Sequence, residues 1–313
     1  YTFIKKYFTS HISNIDGFYI DVKFKNWEKI RYYREMALLR GSITEEMKLG
    51  VPGRILYNNQ YFRVELSLTG LMIDHISHPN KWSLAVKVKD DKTIKGMKKF
   101  ALLVPHSRGY LTDWIATELL MSRDIIGLRF DFANVSINGK DYGLYYLEER
   151  YEKRLIENNG FREGIIFKIN DDGLNIYGMK KISEVKSLSN QLNTLRRLVN
   201  SFLTDKIEAN KLFDLKKFAS LCVVSDIMGQ KHAILRDKVR FYFNPITNLI
   251  EPIGREWGYL KKGVLSKLRK SNDNITSLTI QSPDQRVMHD TKLKKDKVLK
   301  KLIDSFQFEE QDR

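Results

Sequence analysis

The stretch Phe132 to Arg150, FANVSINGKDYGLYYLEER, constrains the fold more than any other part of the chain. Asn138-Gly139 separates two alternating runs. An Asn-Gly pair suits a type I′ turn, because both central residues of that turn need positive φ. Val135 and Ile137 on one arm, and Leu144 and Tyr146 on the other, carry the period of two that marks paired strands. Leu147-Glu148-Glu149-Arg150 then reads as a charged segment opening a helical pattern. The change of period predicts a sheet-rich region that hands the chain to a helical one.

The flanking sequence extends this pattern. Strands are predicted over 18–24, 54–57, 61–68, 81–89 and 127–137, and helices over 26–39 and 109–121. In the second helix Leu111, Trp114, Ile115, Glu118 and Leu119 share a broad face, which places Glu118 beside apolar surface. Beyond residue 150 come a helix over 151–157, a short strand over 164–169, and long helices over 183–203 and 207–228. A hairpin over 238–243 and 248–253 and a basic amphipathic helix, Lys292 to Phe306, follow. The expected fold class is α+β and bilobed. A β-rich N-terminal lobe over 1–149 and a mainly helical C-terminal lobe over 150–313 would flank a cleft.

Charge narrows the partners. Lys and Arg number 54 against 38 Asp and Glu, a formal net charge of +16 in 313 residues. That excess favours anions: nucleotide phosphates, nucleic acid or an anionic surface. The cations are scattered except near the C-terminus, where Lys292 to Lys301 is the candidate for nucleic acid, weighed against a plain solvated face. Cys222 is the single cysteine, so intrachain disulfides and metal–thiolate clusters are excluded; in its apolar run it reads as a buried thiol. No run approaches the roughly 20 apolar residues that span a bilayer. The chain opens at Tyr1 without a methionine, consistent with a piece of a longer protein. Asp74, His75 and His78 form either a metal site or, more simply, a solvated turn. Gly-x-Ser-x-Gly and Gly-x-x-x-x-Gly-Lys-Ser/Thr are both missing, which removes the hydrolase elbow and the P-loop.

What remains suits phosphoryl chemistry. That chemistry needs a strand lysine for phosphates, an acid to fix it, metal ligands, and a group near the acceptor hydroxyl. Lys87 lies in a strand pattern, and Glu118 in the next long helix. A polar loop over 229–238 precedes a hairpin and Gly254-Arg255-Glu256-Trp257-Gly258.

Several blocks together resemble the CotH kinase family. They are KWSLAVKVKDDKTIKGMKKFALL (Lys81 to Leu103), Arg108 with GYLTDWIATELL, and NVSINGKDYGLYYLEERYEKRLIENNG (Asn134 to Gly160). REGIIFKIND and GQKHAILRDKVRFYFNPITNLIEPIG (Gly229 to Gly254) follow. The resemblance runs from about Phe18 to about Leu260. It implies a protein-kinase-like fold, ATP with magnesium or manganese, and a protein hydroxyl as acceptor. It also implies site residues: Lys87, Arg108 and Glu118 toward the nucleotide, Glu256 toward the metal, and His232 with Asp237 at the catalytic position. Glu148 and Glu149 match an acidic pair near the hinge, or simply start a solvated helix.

The chain departs from the family at informative places. Relatives commonly carry Arg-Leu-Lys/Arg-Gly where this chain has Ser67-Leu68-Thr69-Gly70. Lys238 stands where an Asn would hold metal, Glu256 where an Asp would, and His232 where many members have the catalytic Asp. Three readings follow: an active kinase; a pseudokinase that binds nucleotide or scaffolds a protein partner; and a basic protein binding nucleic acid or an anionic surface.

Overall fold

The structure, a computed structural model, describes residues 15–170, 173–229, 232–234, 238–255 and 257. The chain divides into two compact units. One comprises Tyr1–Tyr110 and Leu128–Arg150, the other Leu111–Gly127 and Tyr151–Arg313.

The first unit contains β1 (Asp16–Asp21), α1 (Phe24–Arg40), β2 (Val51–Tyr57), β3 (Gln60–Leu68), β4 (Leu84–Val88), β5 (Lys99–Leu103), β6 (Phe130–Ile137) and β7 (Lys140–Glu149). The strands close into a barrel in the order β1-β2-β3-β4-β5-β7-β6. Closure is made by β1 and β6, which pair in parallel. The hairpin turn helps to fix that seam. Asn138 has φ 50° and Gly139 φ 78°. The Asn138 N–H donates to the Ile20 carbonyl, and its Oδ1 accepts the Val22 N–H at 2.8 Å. Alternation sends Phe18, Val64, Leu66, Val86, Phe100, Leu102 and Leu147 inward. Phe18 and Phe100, on strands that are not neighbours, meet edge-on at 6.0 Å, so side chains fill the interior. Helix α1 adds Ile30 and Ala37 to this core and ends at Gly41 in the left-handed conformation. Trp27 stacks on Trp82 at 5.3 Å, and the Arg34 guanidinium lies 5.0 Å from the Trp82 ring.

The second unit contains α2 (Thr112–Met121), α3 (Lys153–Asn158), β8 (Ile165–Asn170), β9 (Gly173–Ile176), α4 (Met179–Glu184), α5 (Lys186–Leu203), α6 (Leu215–Ile227), β10 (Arg240–Phe243) and β11 (Ile250–Ile253). The strands form one antiparallel sheet in the order β11-β10-β8-β9. Phe167 of β8 and Phe241 of β10 stack at 5.3 Å. Leu192 and Leu195 of α5, Phe218 and Leu221 of α6, and Ala116 and Leu120 of α2 complete this core. Among the described residues no helix is long and apolar enough to cross a membrane.

This architecture overturns the expected bilobed, protein-kinase-like fold with a mainly helical C-terminal lobe. The N-terminal strands make a closed seven-stranded barrel, and the second unit has a four-stranded sheet alongside its helices. The parallel β1–β6 seam joins residues more than a hundred positions apart, a pairing that no local pattern encodes. Strand β5, KFALL, was hidden because a short, continuous apolar run shows no alternation. Strand β9 was missed as well. Strand β7 runs on through Glu149, so the segment expected to open a helix is still sheet, and the helix starts only at Lys153. The expected basic helix Lys292 to Phe306 lies outside the described residues.

Candidate functional site

The chemistry-bearing surface of the first unit is the outward face of β3, β4, β5 and β7. Register fixes who meets whom. Ser67, Ala85, Ala101 and Glu148 lie in one row across these four strands, and Glu65, Lys87 and Lys99 in the next. In the first row Ser67 and Ala85 are half-buried, whereas Ala101 and Glu148 are buried. Lys87 is exposed and Lys99 half-buried. Lys89 forms an ion pair with Glu65. The hydrogen bond from Lys89, then its charge and last that of Lys87, hold the Glu65 carboxyl below its usual range against the effect of burial.

The acids that end β7 are buried and paired. Glu148 is 1% exposed; its Oε2 accepts from Arg108 Nε at 2.5 Å and its Oε1 from Arg150 Nη1 at 2.6 Å. Arg150 also donates from Nη2 to Thr69 Oγ1 at 3.1 Å. Glu149 takes a two-pronged contact from Arg129, at 2.5 and 2.9 Å, and Arg129 in turn donates to the Lys95 and Gly96 carbonyls. These are charge-assisted bonds in a dry setting, where removing one partner is costly. The reading of Glu148 and Glu149 as a solvated helix start is thereby overturned.

His75 lies near the same group. Its Nδ1 is 3.0 Å from Ser83 Oγ, which also accepts the Val104 N–H. Burial, and next the Arg108 charge, push His75 down to about 4, so it is neutral at pH 7. The segment Asp74–His78 is thus not a solvated turn at His75. His78 Nδ1 accepts the N–H groups of Asn80 and Lys81, which caps the following bend.

The sequence-predicted residues distribute as follows. Lys87 lies on β4 within the outward face just described. Arg108 closes a 3₁₀ turn after β5 and is engaged with Glu148. Glu118 lies on α2 of the second unit and is exposed. The buried face of α2 is Thr112, Asp113, Ala116, Thr117 and Leu120, so the helix is rotated from the face the apolar pattern suggested. His232 opens a short 3₁₀ turn. Asp237 and Glu256 lie outside the described residues. Sequence reasoning missed Lys99 and Arg150; reading the β7 alternation Tyr146, Glu148, Arg150 two residues further would have exposed Arg150.

Two arginines of the second unit gather on Tyr151 and Tyr177. Arg240 donates to the Tyr177 hydroxyl at 2.7 Å and to the Lys238 carbonyl at 2.6 Å. Arg240 and Arg255 both lie over the Tyr151 ring, at 5.9 and 5.4 Å. Among the described residues no group of three or more His, Cys, Asp or Glu could hold a metal ion. Asp113 of α2 accepts the Trp257 N–H at 2.9 Å and fixes the backbone beyond β11. The Cys222 thiol on α6 is pushed up to about 11 by burial, next by Asp226, and is protonated at neutral pH.

No curated protein matches the chain. The CotH kinase protein family matches over residues 74–231, about half of the 313. The matched span holds β4 with Lys87, the turn with Arg108, α2 with Glu118 and the acids of β7, and it ends immediately before His232. With that coverage, the chain belongs to the CotH kinase family.

Proposed function

We propose that this chain binds a nucleoside triphosphate on the outward face of β3, β4, β5 and β7. The base lies against the half-buried Ser67 and Ala85, and Lys87 meets the phosphates. Arg108 acts from behind, by holding Glu148 and through it Arg150. The observation that carries this reading is the exposed Lys87, beside a patch of small side chains in the part of the chain that matches a kinase family. A flat ring needs such a surface, and a phosphate needs an exposed cation that is not held in an ion pair. The test is a thermal shift on adding ATP, with Lys87→Ala as comparison. Stabilisation of the native chain that the variant loses supports the reading. Equal shifts in both, or none in either, refute it.

A second reading is ATP-dependent phosphoryl transfer to protein hydroxyls, with His232 or Asp237 beside the acceptor and magnesium or manganese on Glu256. Family membership favours it. The sequence departures Ser67, Thr69, Lys238 and Glu256 favour instead a pseudokinase that binds nucleotide without transfer. Incubation with γ-labelled ATP and either metal separates the two. Label passing to the chain itself or to a Ser-rich protein supports transfer, and a blank result with ATP bound supports the pseudokinase.

A further inference from the structure

The lysines on and beside β3, β4 and β5 are not equivalent. Lys89 is tied to Glu65. Lys95 bridges Asp16 and Asp131 at 2.5 and 2.8 Å. Lys98 reaches the Asp90 carbonyl and Asp91. Lys81 donates to the Leu144 carbonyl and lies over the Tyr145 ring. Lys92 lies over the Phe62 ring. The side chains of Lys87 and Lys99 alone in this group form no hydrogen bond, ion pair or ring contact among the described residues, and the two are direct cross-strand partners in β4 and β5.

Directly opposed side chains on one face have Cβ atoms about 5 Å apart, and like charges in that position repel. On its other side Lys87 faces Glu65, whose carboxylate is held by Lys89, so two ammonium groups with no ion pair of their own stand side by side. An anion lying across the two strands reverses the sign of that interaction. One with several linked charged groups gains from both lysines at once, whereas a single phosphate reaches one of them well.

We infer that Lys87 and Lys99 form a two-lysine clamp for the polyphosphate chain of the ligand, and that the clamp works without a divalent metal. This rests on the nucleotide reading above and adds to it a preference for triphosphate over monophosphate, with Lys99 as a second binding residue. Both side chains reach the surface, so neutral replacements leave the fold in place, which circular dichroism checks.

The experiment is calorimetric titration of the full chain in EDTA with ATP, AMP and inorganic tripolyphosphate. The variants are Lys87→Gln, Lys99→Gln and, as a control already tied to Glu65, Lys89→Gln. The clamp predicts that each of the first two weakens ATP and tripolyphosphate by about tenfold, the loss of one charge-assisted contact. AMP should change by less than threefold in these variants, and Lys89→Gln should match the native chain for every ligand. ATP binding that Lys99→Gln leaves unchanged, or that appears only when magnesium is added, overturns the clamp and spares the nucleotide reading. Tripolyphosphate binding without ATP binding spares the clamp and removes the nucleotide. Binding of neither removes both.

Discussion

His75 shows how one buried side chain gives the first unit a pH dependence. The ring is 7% exposed and packed beside Gly70. Burial, then the charges of Arg108 and Arg150, oppose its protonation, and they outweigh the opposing pull of Asp74 and Glu148. Its folded value of about 4 lies below the 6.5 of an unperturbed histidine. Between those values the unfolded chain takes up a proton that the folded chain refuses. Stability from this group is therefore whole above pH 6.5 and is lost as pH falls toward 4. Each pH unit in that window is worth about 1.4 kcal/mol, so lowering pH from 6.5 to 5 should cost about 2 kcal/mol. Carboxylates add their own losses at lower pH, so the comparison must be internal. Urea unfolding at pH 7 and pH 5 should show a drop in the native chain that His75→Gln lacks, since glutamine keeps a polar contact to Ser83 but does not titrate. An equal drop in both proteins would refute the assignment to His75.

Among the elements, the β6–β7 hairpin could be read from the sequence and the barrel could not. Asn138-Gly139 announced its turn by residue type alone, and α1, β2, β3, α5 and α6 followed from period and length. What failed depended on tertiary context. Strand β5 has no alternation because it is buried on both faces. The β1–β6 seam depends on a distant partner. The face of α2 was misjudged because Ile115, Leu119 and Glu118 are all outward, while small and polar residues, Thr112, Asp113 and Thr117, point in. The same division governs the candidate site. The strand position of Lys87 could be read because β4 alternates, and that of Lys99 could not because β5 does not. Two glycines that both have positive φ separate local from tertiary demand. A Cβ at Gly139, φ 78°, would meet nothing within 4 Å, whereas one at Gly70, φ 99°, would come within 2.1 Å of the buried His75 ring. Gly139→Ala should cost about 1 kcal/mol, the backbone penalty alone. Gly70→Ala should cost about 3 kcal/mol or more, because strain adds to a clash with a side chain that has nowhere to go. Urea unfolding ranks them, and the reverse order would refute this account.

For the molecule as a whole, sequence order and spatial order disagree. The chain leaves the first unit after Tyr110, returns at Leu128 and leaves again after Arg150. The excursion Leu111–Gly127 sits in sequence between β5 and β6, yet its side chains belong to the core of the second unit. Ala116 and Leu120 are 0% exposed and Ile125 is 1% exposed. Asp113 holds the Trp257 backbone, and the Gly127 N–H donates to Asn159 Oδ1 at 3.0 Å. A fragment that starts at Tyr151 therefore lacks part of its own interior. Removing large buried aliphatic side chains costs about 2–5 kcal/mol each, against a total stability of about 5–15 kcal/mol for a typical domain. Leu120 and Ile125 together are thus enough to abolish cooperative folding. The fragment 151–313 should keep helical circular dichroism but melt without a sharp transition and give poorly dispersed amide resonances. Joining residues 111–127 to its N-terminus through a Gly/Ser linker should restore a sigmoidal melt. A sharp, reversible transition from 151–313 alone would show that α2 is dispensable, and that the second unit is continuous in sequence after all.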